Sequence, residues 1–174
     1  MKKTLKLFSF LLLTISTIIL LTGCAPKKEQ LVFDGEEGKI TFTVNANSGY
    51  SISTNKDDFR TSRQQGMLIG NDFKIGIEFC DDYKYFFNSS LDEMKEAKKD
   101  YDDYKEVNYS GVDGVQYFYG GYNEYEVLLP VANNEKYYLI LEIYGNEDNE
   151  ESAKAAIANP ELLEILNTIT FEAK

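Results

Sequence analysis

The sequence contains no histidine and no tryptophan, and it has only two cysteines and three prolines in 174 residues. Histidine is the side chain most often used as a general base and as a metal ligand, so its absence excludes Ser-His-Asp and Cys-His catalytic arrangements and histidine-based zinc sites. A phosphate-binding loop of the form G-x-x-x-x-G-K is absent as well. Catalysis by a Ser-Lys pair or by paired carboxylates stays open. The sequence therefore favours a protein that is not an enzyme and needs no cofactor or metal.

Positive charge is scarce in this chain. It has 18 Lys and Arg residues against 29 Asp and Glu residues, which gives a formal charge of −11. Nucleic-acid binding depends on neutralising phosphates, so this balance argues against a nucleic-acid partner. It also keeps the protein soluble and repelled from anionic lipid. Lys27 and Lys28 are exceptions: either they attract the chain to anionic headgroups, by about 1 kcal/mol each, or they are simply solvated.

A long hydrophobic run occurs only near the N-terminus, from Leu7 to Leu21, after the basic residues Lys2, Lys3 and Lys6. A basic start, an apolar stretch and small residues at its end predict a helical secretory signal peptide. Leu21-Thr22-Gly23-Cys24 resembles the lipobox of bacterial lipoproteins. That resemblance implies that Cys24 is lipidated, with a palmitate-type acyl group, and becomes the first residue of the mature chain. The alternative is an ordinary signal peptide or an N-terminal membrane anchor.

The sequence is thus expected to divide into a signal peptide (1–23), a lipidated tether (24–30) and one globular domain (31–174). Removal of residues 1–23 and their three lysines leaves a formal charge of −14. The remaining 151 residues suit one domain with a core of its own. A tether of six residues, Ala25 to Gln30, reaches only about 20 Å. The expected location is the extracytoplasmic face of the cell membrane, and Ala25 in place of an aspartate matches no inner-membrane retention signal.

Cys80 is the only cysteine left once Cys24 is lipidated, so an internal disulfide framework is not expected. It ends a run in which Phe73, Ile75, Ile77 and Phe79 share one face of a strand, and Cys80 falls on the other. It is interpreted as a small, semi-buried residue. A reactive thiol would need a nearby base, and the chain has no histidine.

Strand patterns dominate the chain after Leu31. Ile40, Phe42 and Val44 alternate with polar residues, which predicts a half-buried strand. The other predicted strands are Tyr50–Ser53, Met67–Gly70, Phe73–Cys80, Val107–Tyr109, Val115–Tyr119, Tyr125–Val131, Lys136–Tyr144 and Thr168–Glu172, with Asn55–Gln65 as a helix or a loop. In Lys136–Tyr144 one face carries Tyr137, Leu139, Leu141 and Ile143, and the other carries Tyr138, Ile140 and Tyr144. A strand that is apolar on both faces should be central and covered on both sides.

Two helical regions are predicted. Ser90-Leu-Asp-Glu93 matches a capping box and opens a helix that should run to about Lys105, with Leu91, Met94, Ala97, Tyr101 and Tyr104 at helical spacing. Near the C-terminus, an alanine-rich helix follows the acids of Glu147–Glu151. Asn159 then caps a helix with Pro160 in its first turn and with Leu162, Leu163, Ile165 and Leu166 as its buried stripe. The fold class is α+β, a largely antiparallel sheet flanked by helices.

This order of elements resembles the PsbP-like α/β/α sandwich of extrinsic photosystem subunits, a Ran-binding nuclear import factor and many small bacterial lipoproteins. The resemblance covers residues 31–173. It rests on the strand-turn-strand from Ile40 to Ser53 with its Gly49-Tyr50 turn, the mid-chain helix, the strand meander and the closing Ile165-Leu-Asn-Thr-Ile-Thr-Phe171. It implies a non-enzymatic binding or assembly factor. It assigns no functional residue, because no site motif matches.

Acidic residues gather in four places, namely Asp57-Asp58, Asp81-Asp82, Asp102-Asp103 and Glu147–Glu151. Calcium needs six to eight oxygen ligands, and none of these runs has the EF-hand spacing. They are interpreted as solvated surface, with the last run placed at a helix N-terminus, where negative charge is favourable. Calcium binding is the alternative.

Tyrosine is abundant, with 13 residues in the chain, and four of them lie close together in Tyr117-Phe-Tyr-Gly-Gly-Tyr-Asn-Glu-Tyr125. Tyrosine combines a large apolar area with a hydroxyl at low entropic cost, which suits a contact surface. The candidate binding residues are therefore Tyr117, Tyr119, Tyr122 and Tyr125. In a hairpin, Tyr117 and Tyr119 would share one face and Phe118 would point to the other. The alternative is ordinary strand composition, since aromatic residues are common in strands.

The leading hypothesis is a membrane-anchored, extracytoplasmic lipoprotein that serves as a non-catalytic binding or accessory module for an envelope protein or complex. The alternative is a small-ligand receptor or an envelope hydrolase that uses carboxylates. A transporter-type solute-binding protein is less favoured, because it usually needs two α/β lobes.

Overall fold

The structure, a computed structural model, describes residues 26–35, 38–55, 65–80, 90–130 and 138–174. These residues form ten strands and three helices. In chain order they are β1 (Lys28–Asp34), β2 (Gly38–Asn45), β3 (Ser51–Asn55), β4 (Gln65–Ile69), β5 (Lys74–Cys80), α1 (Leu91–Lys98), β6 (Lys105–Tyr109), β7 (Val112–Tyr119), β8 (Glu124–Pro130), β9 (Tyr138–Tyr144), α2 (Glu150–Ile157), α3 (Pro160–Thr168) and β10 (Thr170–Ala173). The α+β class is confirmed, with more sheet than helix.

Two antiparallel sheets organise the fold. A small sheet has the order β1-β2-β10, and a seven-stranded sheet has the order β3-β4-β5-β9-β8-β7-β6. The predicted central position of the strand that ends at Tyr144 is confirmed, because β9 is the fourth of the seven strands. The closing strand β10 returns to the start of the domain and pairs with β2, Phe171 opposite Ile40.

The core lies mainly on one face of the large sheet. There, alternate residues of β5, β8 and β9 pack against the small sheet and against α2 and α3. The predicted alternation is confirmed at β2, where Ile40, Phe42 and Val44 are almost fully buried. A smaller core on the opposite face packs α1 against β7, β8 and β9; its buried members are Met94, Val115, Tyr117, Leu128 and Tyr138. Helices therefore cover both faces of the large sheet.

The helix predicted from Ser90 to Lys105 is shorter than expected. Ser90 caps it as predicted, its side chain accepting from the Glu93 backbone N–H, but α1 ends at Lys98. Its C-terminal side carries Asp100, Asp102 and Asp103, and negative charge near a helix C-terminus is unfavourable. The chain then crosses the edge of the sheet, with a positive φ at Asp103 and a 2.7 Å hydrogen bond from the Phe118 N–H to the Asp102 carbonyl. This link leads into β6.

The predicted helices at the C-terminus are confirmed, with shifted ends. Asn159 caps α3 and Pro160 opens it, and Leu162, Ile165 and Leu166 are buried, whereas Leu163 is only half-buried. The helix runs through Thr168, whose hydroxyl lies 3.1 Å from the Glu164 carbonyl, so the closing strand starts at Thr170 rather than at Thr168. None of the helices within the described ranges is long and apolar enough to cross a membrane.

At the other end of the domain, β1 begins at Lys28, inside the segment predicted as tether. Lys28 pairs with Asn45 of β2, and the Lys27 carbonyl accepts from the Ala46 N–H at 2.6 Å. Residues 28–30, which were predicted to belong to the tether, are thus part of a strand of the small sheet.

Several sequence-based expectations fall outside the described residues. These are the Leu7–Leu21 segment, the lipobox with Cys24, the helix or loop between Asn55 and Gln65, the acidic pairs Asp57-Asp58 and Asp81-Asp82, the side chain of Cys80, Tyr137 and the turn from Ala132 to Glu135.

Candidate functional site

The β7–β8 hairpin carries the four tyrosines that the sequence analysis selected. Phe118 pairs with Tyr125, and Tyr119 pairs with Glu124, across a turn at residues 120–123 in which Asn123 has a φ of 54°. The predicted arrangement of Tyr117 and Tyr119 on one face with Phe118 on the other is confirmed. Tyr125 lies on the same face as Phe118, so the four tyrosines do not form one surface.

Burial separates the four tyrosines further. Tyr117 is fully buried, Tyr125 is 3% exposed, Tyr119 is half-buried and Tyr122 is 48% exposed. The Tyr125 hydroxyl donates to Asp103 at 2.5 Å, and burial, followed by this carboxylate, raises the pKa of Tyr125. Tyr125 is thus a core residue on the main-core side of the sheet. Tyr119 and Tyr122 are the two candidates that a partner could reach.

Tyr101, which sequence reasoning placed inside a helix, joins these residues. Its ring centroid lies 4.7 Å from that of Tyr117 and 6.1 Å from that of Tyr119. The Tyr119 ring in turn lies 5.5 Å from Tyr122. We call Tyr101, Tyr117, Tyr119 and Tyr122 the tyrosine cluster. Because α1 ends early, Tyr101 folds over β7, and it remains 36% exposed.

A lysine from α1 lies on this cluster. The Lys98 ammonium is 4.6 Å from the centre of the Tyr101 ring and 4.7 Å from that of Tyr117, within the range of cation–π attraction. Burial lowers the pKa of Lys98, and the nearby Glu126 carboxylate acts in the opposite direction. The Tyr117 hydroxyl donates to that same carboxylate. The face thus holds an ammonium group between two tyrosine rings and a glutamate.

An open cavity of about 380 Å³ lies beside the exposed end of the tyrosine cluster. Its lining residues come from β4, β5, β9, the β7–β8 turn and the loop after β9, and they include Lys74, Tyr122, Glu142, Tyr144, Glu147 and Asp148. This volume falls within the range of small-ligand sites. The cavity is therefore large enough for a small ligand, and one of the predicted tyrosines, Tyr122, forms part of its wall.

The position of the Glu142 side chain, which lines the cavity, depends on a glycine. Gly76 of β5 faces Glu142 of β9, and a Cβ atom at Gly76 would lie 2.6 Å from Glu142 Oε2 and 3.3 Å from the Tyr144 ring. Glycine therefore lets the Glu142 side chain lie across β5. The Tyr144 hydroxyl donates to Glu142 Oε2 at 2.6 Å. Burial and then the Glu142 charge raise the pKa of Tyr144, so its hydroxyl keeps its proton and can act as this donor.

The rim of the cavity is held by side-chain hydrogen bonds between loops. Asn123 Nδ2 donates to Asp148 Oδ1 at 3.2 Å, which ties the hairpin turn to the loop after β9. Asn146 Nδ2 donates to the Asn71 carbonyl at 2.7 Å, which ties that loop to the β4–β5 turn. Asn149 caps α2 and donates to Glu147 Oε2 at 2.9 Å. The rim is thus built from three loops that fix one another.

The acidic runs, for which calcium binding was the alternative to solvated surface, do not assemble into a metal site where the structure describes them. Within the described ranges, no three Cys, Asp or Glu side chains are grouped so as to hold a metal ion. Glu150 and Glu151 lie in the first turn of α2, as expected for acids at a helix N-terminus. Asp103 bonds to Tyr125.

Sequence reasoning placed Tyr144 on this face of the strand, but it did not select Lys98, Glu142 or Tyr144 as candidate site residues. One signal was present: Glu142 lies on the face of β9 that was predicted to be covered, between Ile140 and Tyr144. A charged residue at such a position points to a polar site on that face. Comparison of the chain with protein-family models, with curated proteins and with solved structures gave no match.

Proposed function

We propose that the chain is a membrane-anchored, extracytoplasmic lipoprotein that acts as a non-catalytic binding or accessory module for an envelope protein or complex. The observation that carries the binding role is the row of tilted ring contacts that joins Tyr101, Tyr119 and Tyr122 at the surface of the β7–β8 hairpin. Ordered tyrosines supply a large contact area at low entropic cost. Cys24 is the proposed lipid attachment site, and the tyrosines are the proposed binding residues.

The start of β1 supports an arrangement close to the membrane. Only residues 25–27 separate Cys24 from β1, which corresponds to about 10 Å of extended chain. Lys28 forms a 2.7 Å ion pair with Glu164, so its charge is partly neutralised within the domain. Lys27 is exposed and is the better candidate for contact with anionic headgroups.

A PsbP-like sandwich is part of this proposal. Helices on both faces of the large antiparallel sheet support it, as does the closing strand that returns to the early strands. The implied role for such a domain is binding or assembly rather than catalysis, which agrees with the absence of histidine.

The test is crosslinking of the lipidated protein in intact cells, followed by affinity capture and mass spectrometry. A dominant envelope partner that is lost with Cys24→Ala would support the tethered binding role. Tyr119→Ser with Tyr122→Ser should remove that partner while Tyr122→Phe keeps it, because the phenylalanine preserves the ring. If no protein is enriched over the Cys24→Ala control, the accessory role is contradicted.

The second candidate function is a small-ligand receptor, and the cavity beside Tyr122 is the observation that favours it. A receptor of this kind would bind its ligand with Glu142, Tyr144 and neighbouring polar groups. It would retain ligand binding in the Cys24→Ala variant, whereas capture of an envelope partner would require the tether.

A further inference from the structure

The chemistry of the cavity beside Tyr122 identifies the kind of group it can hold. Three of its lining residues are carboxylates, Glu142, Glu147 and Asp148, and Lys74 is the only cation among its described lining residues. The formal charge of the described lining residues is therefore −2, from three carboxylates and one ammonium group. An anionic ligand is disfavoured, and a cationic ligand is favoured by attraction.

The hydrogen-bonding groups that line the cavity also favour a cationic ligand. The side-chain nitrogens of Asn123 and Asn146 both donate to neighbouring loops, so part of their donor capacity is already used within the protein. The Tyr144 hydroxyl already donates to Glu142. Carboxylates and amide oxygens are acceptors, so the cavity is rich in acceptors and suits a ligand rich in donors. An ammonium group has three N–H donors and no acceptor.

The aromatic wall adds a third element. Tyr122 is 48% exposed at the mouth of the cavity, and its ring is steadied by Tyr119 at 5.5 Å. A tyrosine face attracts a cation within about 6 Å of the ring centre. The same sheet face already holds one ammonium in this way, since Lys98 lies over Tyr101 and Tyr117 beside Glu126. That internal contact shows the same combination of tyrosine rings and a carboxylate around an alkylammonium group.

We propose that this cavity binds an alkylammonium group, carried either by a small polyamine or by a lysine side chain of the partner protein. Glu142, Glu147 and Asp148 accept from the ammonium, and Tyr122 covers the alkyl chain and the charge. The proposal rests on the binding role described above for its biological setting, and it assigns that role a ligand chemistry.

The test uses the full chain in a neutral detergent and follows backbone amide NMR signals during titration with 1,5-diaminopentane. Saturable shifts are expected at Gly121, Gly145 and Asn146, which line the cavity. The neutral isostere 1,5-pentanediol should give no such shifts. The absence of saturable shifts up to about 10 mM diamine, a level that corresponds to very weak binding, would overturn the proposal, as would an equal response to the diol.

Charge variants sharpen the test. Glu147→Gln should weaken diamine binding and Lys74→Gln should strengthen it, each by about two- to five-fold, the size of an exposed charge interaction. Glu29→Gln makes the same charge change on β1 of the small sheet and serves as the matched control. Unchanged or weaker binding in Lys74→Gln, or an equal effect of Glu29→Gln, would contradict a site that recognises the ammonium charge.

The source of the ammonium group follows from a second titration. The source is a protein lysine if a lysine-containing peptide binds at least ten-fold more tightly than the diamine and its norleucine counterpart does not bind. The source is a free polyamine if the diamine binds more tightly than the lysine peptide. The ammonium site can also fail while the binding role stands. This outcome requires that the diamine does not bind and that Glu147→Gln still captures the envelope partner. It also requires that the double variant Tyr119→Ser with Tyr122→Ser loses that partner.

Discussion

Glu126 and Glu142 lie directly opposite each other on the adjacent antiparallel strands β8 and β9. Like charges in this position are destabilising. Each carboxylate accepts a hydrogen bond from a tyrosine on the same face of the sheet, Glu126 from Tyr117 and Glu142 from Tyr144. The hydroxyls therefore offset part of the repulsion, and they link the tyrosine cluster to the cavity.

Tyr144→Phe should destabilise the protein by about 1–3 kcal/mol, because it removes a hydrogen bond to a half-buried carboxylate without changing the ring. Urea unfolding followed by circular dichroism measures this change. Tyr122→Phe is the matched control, since Tyr122 is exposed, and it should shift the unfolding free energy by less than about 0.5 kcal/mol. Equal stability of the two variants would show that the Glu142 contact contributes nothing.

Stability should fall as the pH rises above about 10, the ordinary tyrosine value. Burial, followed by a neighbouring carboxylate in each case, raises the folded-state pKa of Tyr50, Tyr125 and Tyr144. A raised pKa stabilises the protonated form in the folded state, so this contribution is complete below the unfolded pKa and is lost as the pH approaches the folded pKa.

Urea unfolding at pH 9, 10 and 11 measures that loss. Tyr125→Phe and Tyr144→Phe should each make the decline shallower, because phenylalanine has no proton to lose. A wild-type stability that stays constant from pH 9 to 11 would contradict the raised folded-state pKa values of these tyrosines.

Tyr117→Ser and Tyr122→Ser should have opposite consequences, although the two residues lie on the same hairpin. Tyr117 is fully buried, so its truncation should cost about 3–5 kcal/mol. Tyr122 is half-exposed, so Tyr122→Ser should change stability by less than about 0.5 kcal/mol and should weaken partner capture. Thermal melts and capture assays on the same preparations measure both effects. A large melt shift in Tyr122→Ser would mean that this tyrosine is a core residue.

Met94→Ala should release α1 from the large sheet. Met94 is the one buried residue within α1, and it packs in the smaller core with Val115 and Leu128. Its truncation should cost about 2–5 kcal/mol. It should also increase hydrogen exchange in α1 more than in α3, which packs in the main core. Glu96→Ala, at an exposed position of the same helix, is the control and should cost less than about 0.5 kcal/mol.

Local patterns predicted much of the fold. Period-two alternation located β2 and β5 and identified their buried faces, because a strand with one face in the core shows its burial directly in the sequence. Capping residues likewise located the starts of two helices, at Ser90 and Asn159, because each cap contacts a residue only two or three positions further along the chain. The central position of β9 followed from apolar residues on both of its faces.

The sequence-based predictions were wrong where contacts between residues far apart in the chain override the local preference for helix or coil. Tyr101 and Tyr104 have helical spacing after Met94, but the chain leaves the helix to cross the sheet edge and hydrogen bond with Phe118. Lys28 looked like part of a polar tether because its strand is recognisable only through its pairing with β2. An edge strand with one exposed face carries too weak a hydrophobic pattern to be found alone.

The sequence by itself determined the acidic character, the absence of histidine chemistry, the α+β class and the choice of the tyrosine-rich hairpin, because all of these depend on composition or on contacts between near neighbours. Only the tertiary structure decided which tyrosines are accessible, that Tyr101 and Lys98 join them, and that Glu142 and Tyr144 form a cavity with the loops around Tyr122. These groupings join residues that are tens of positions apart, and strand register and order, rather than spacing in the chain, bring such residues together.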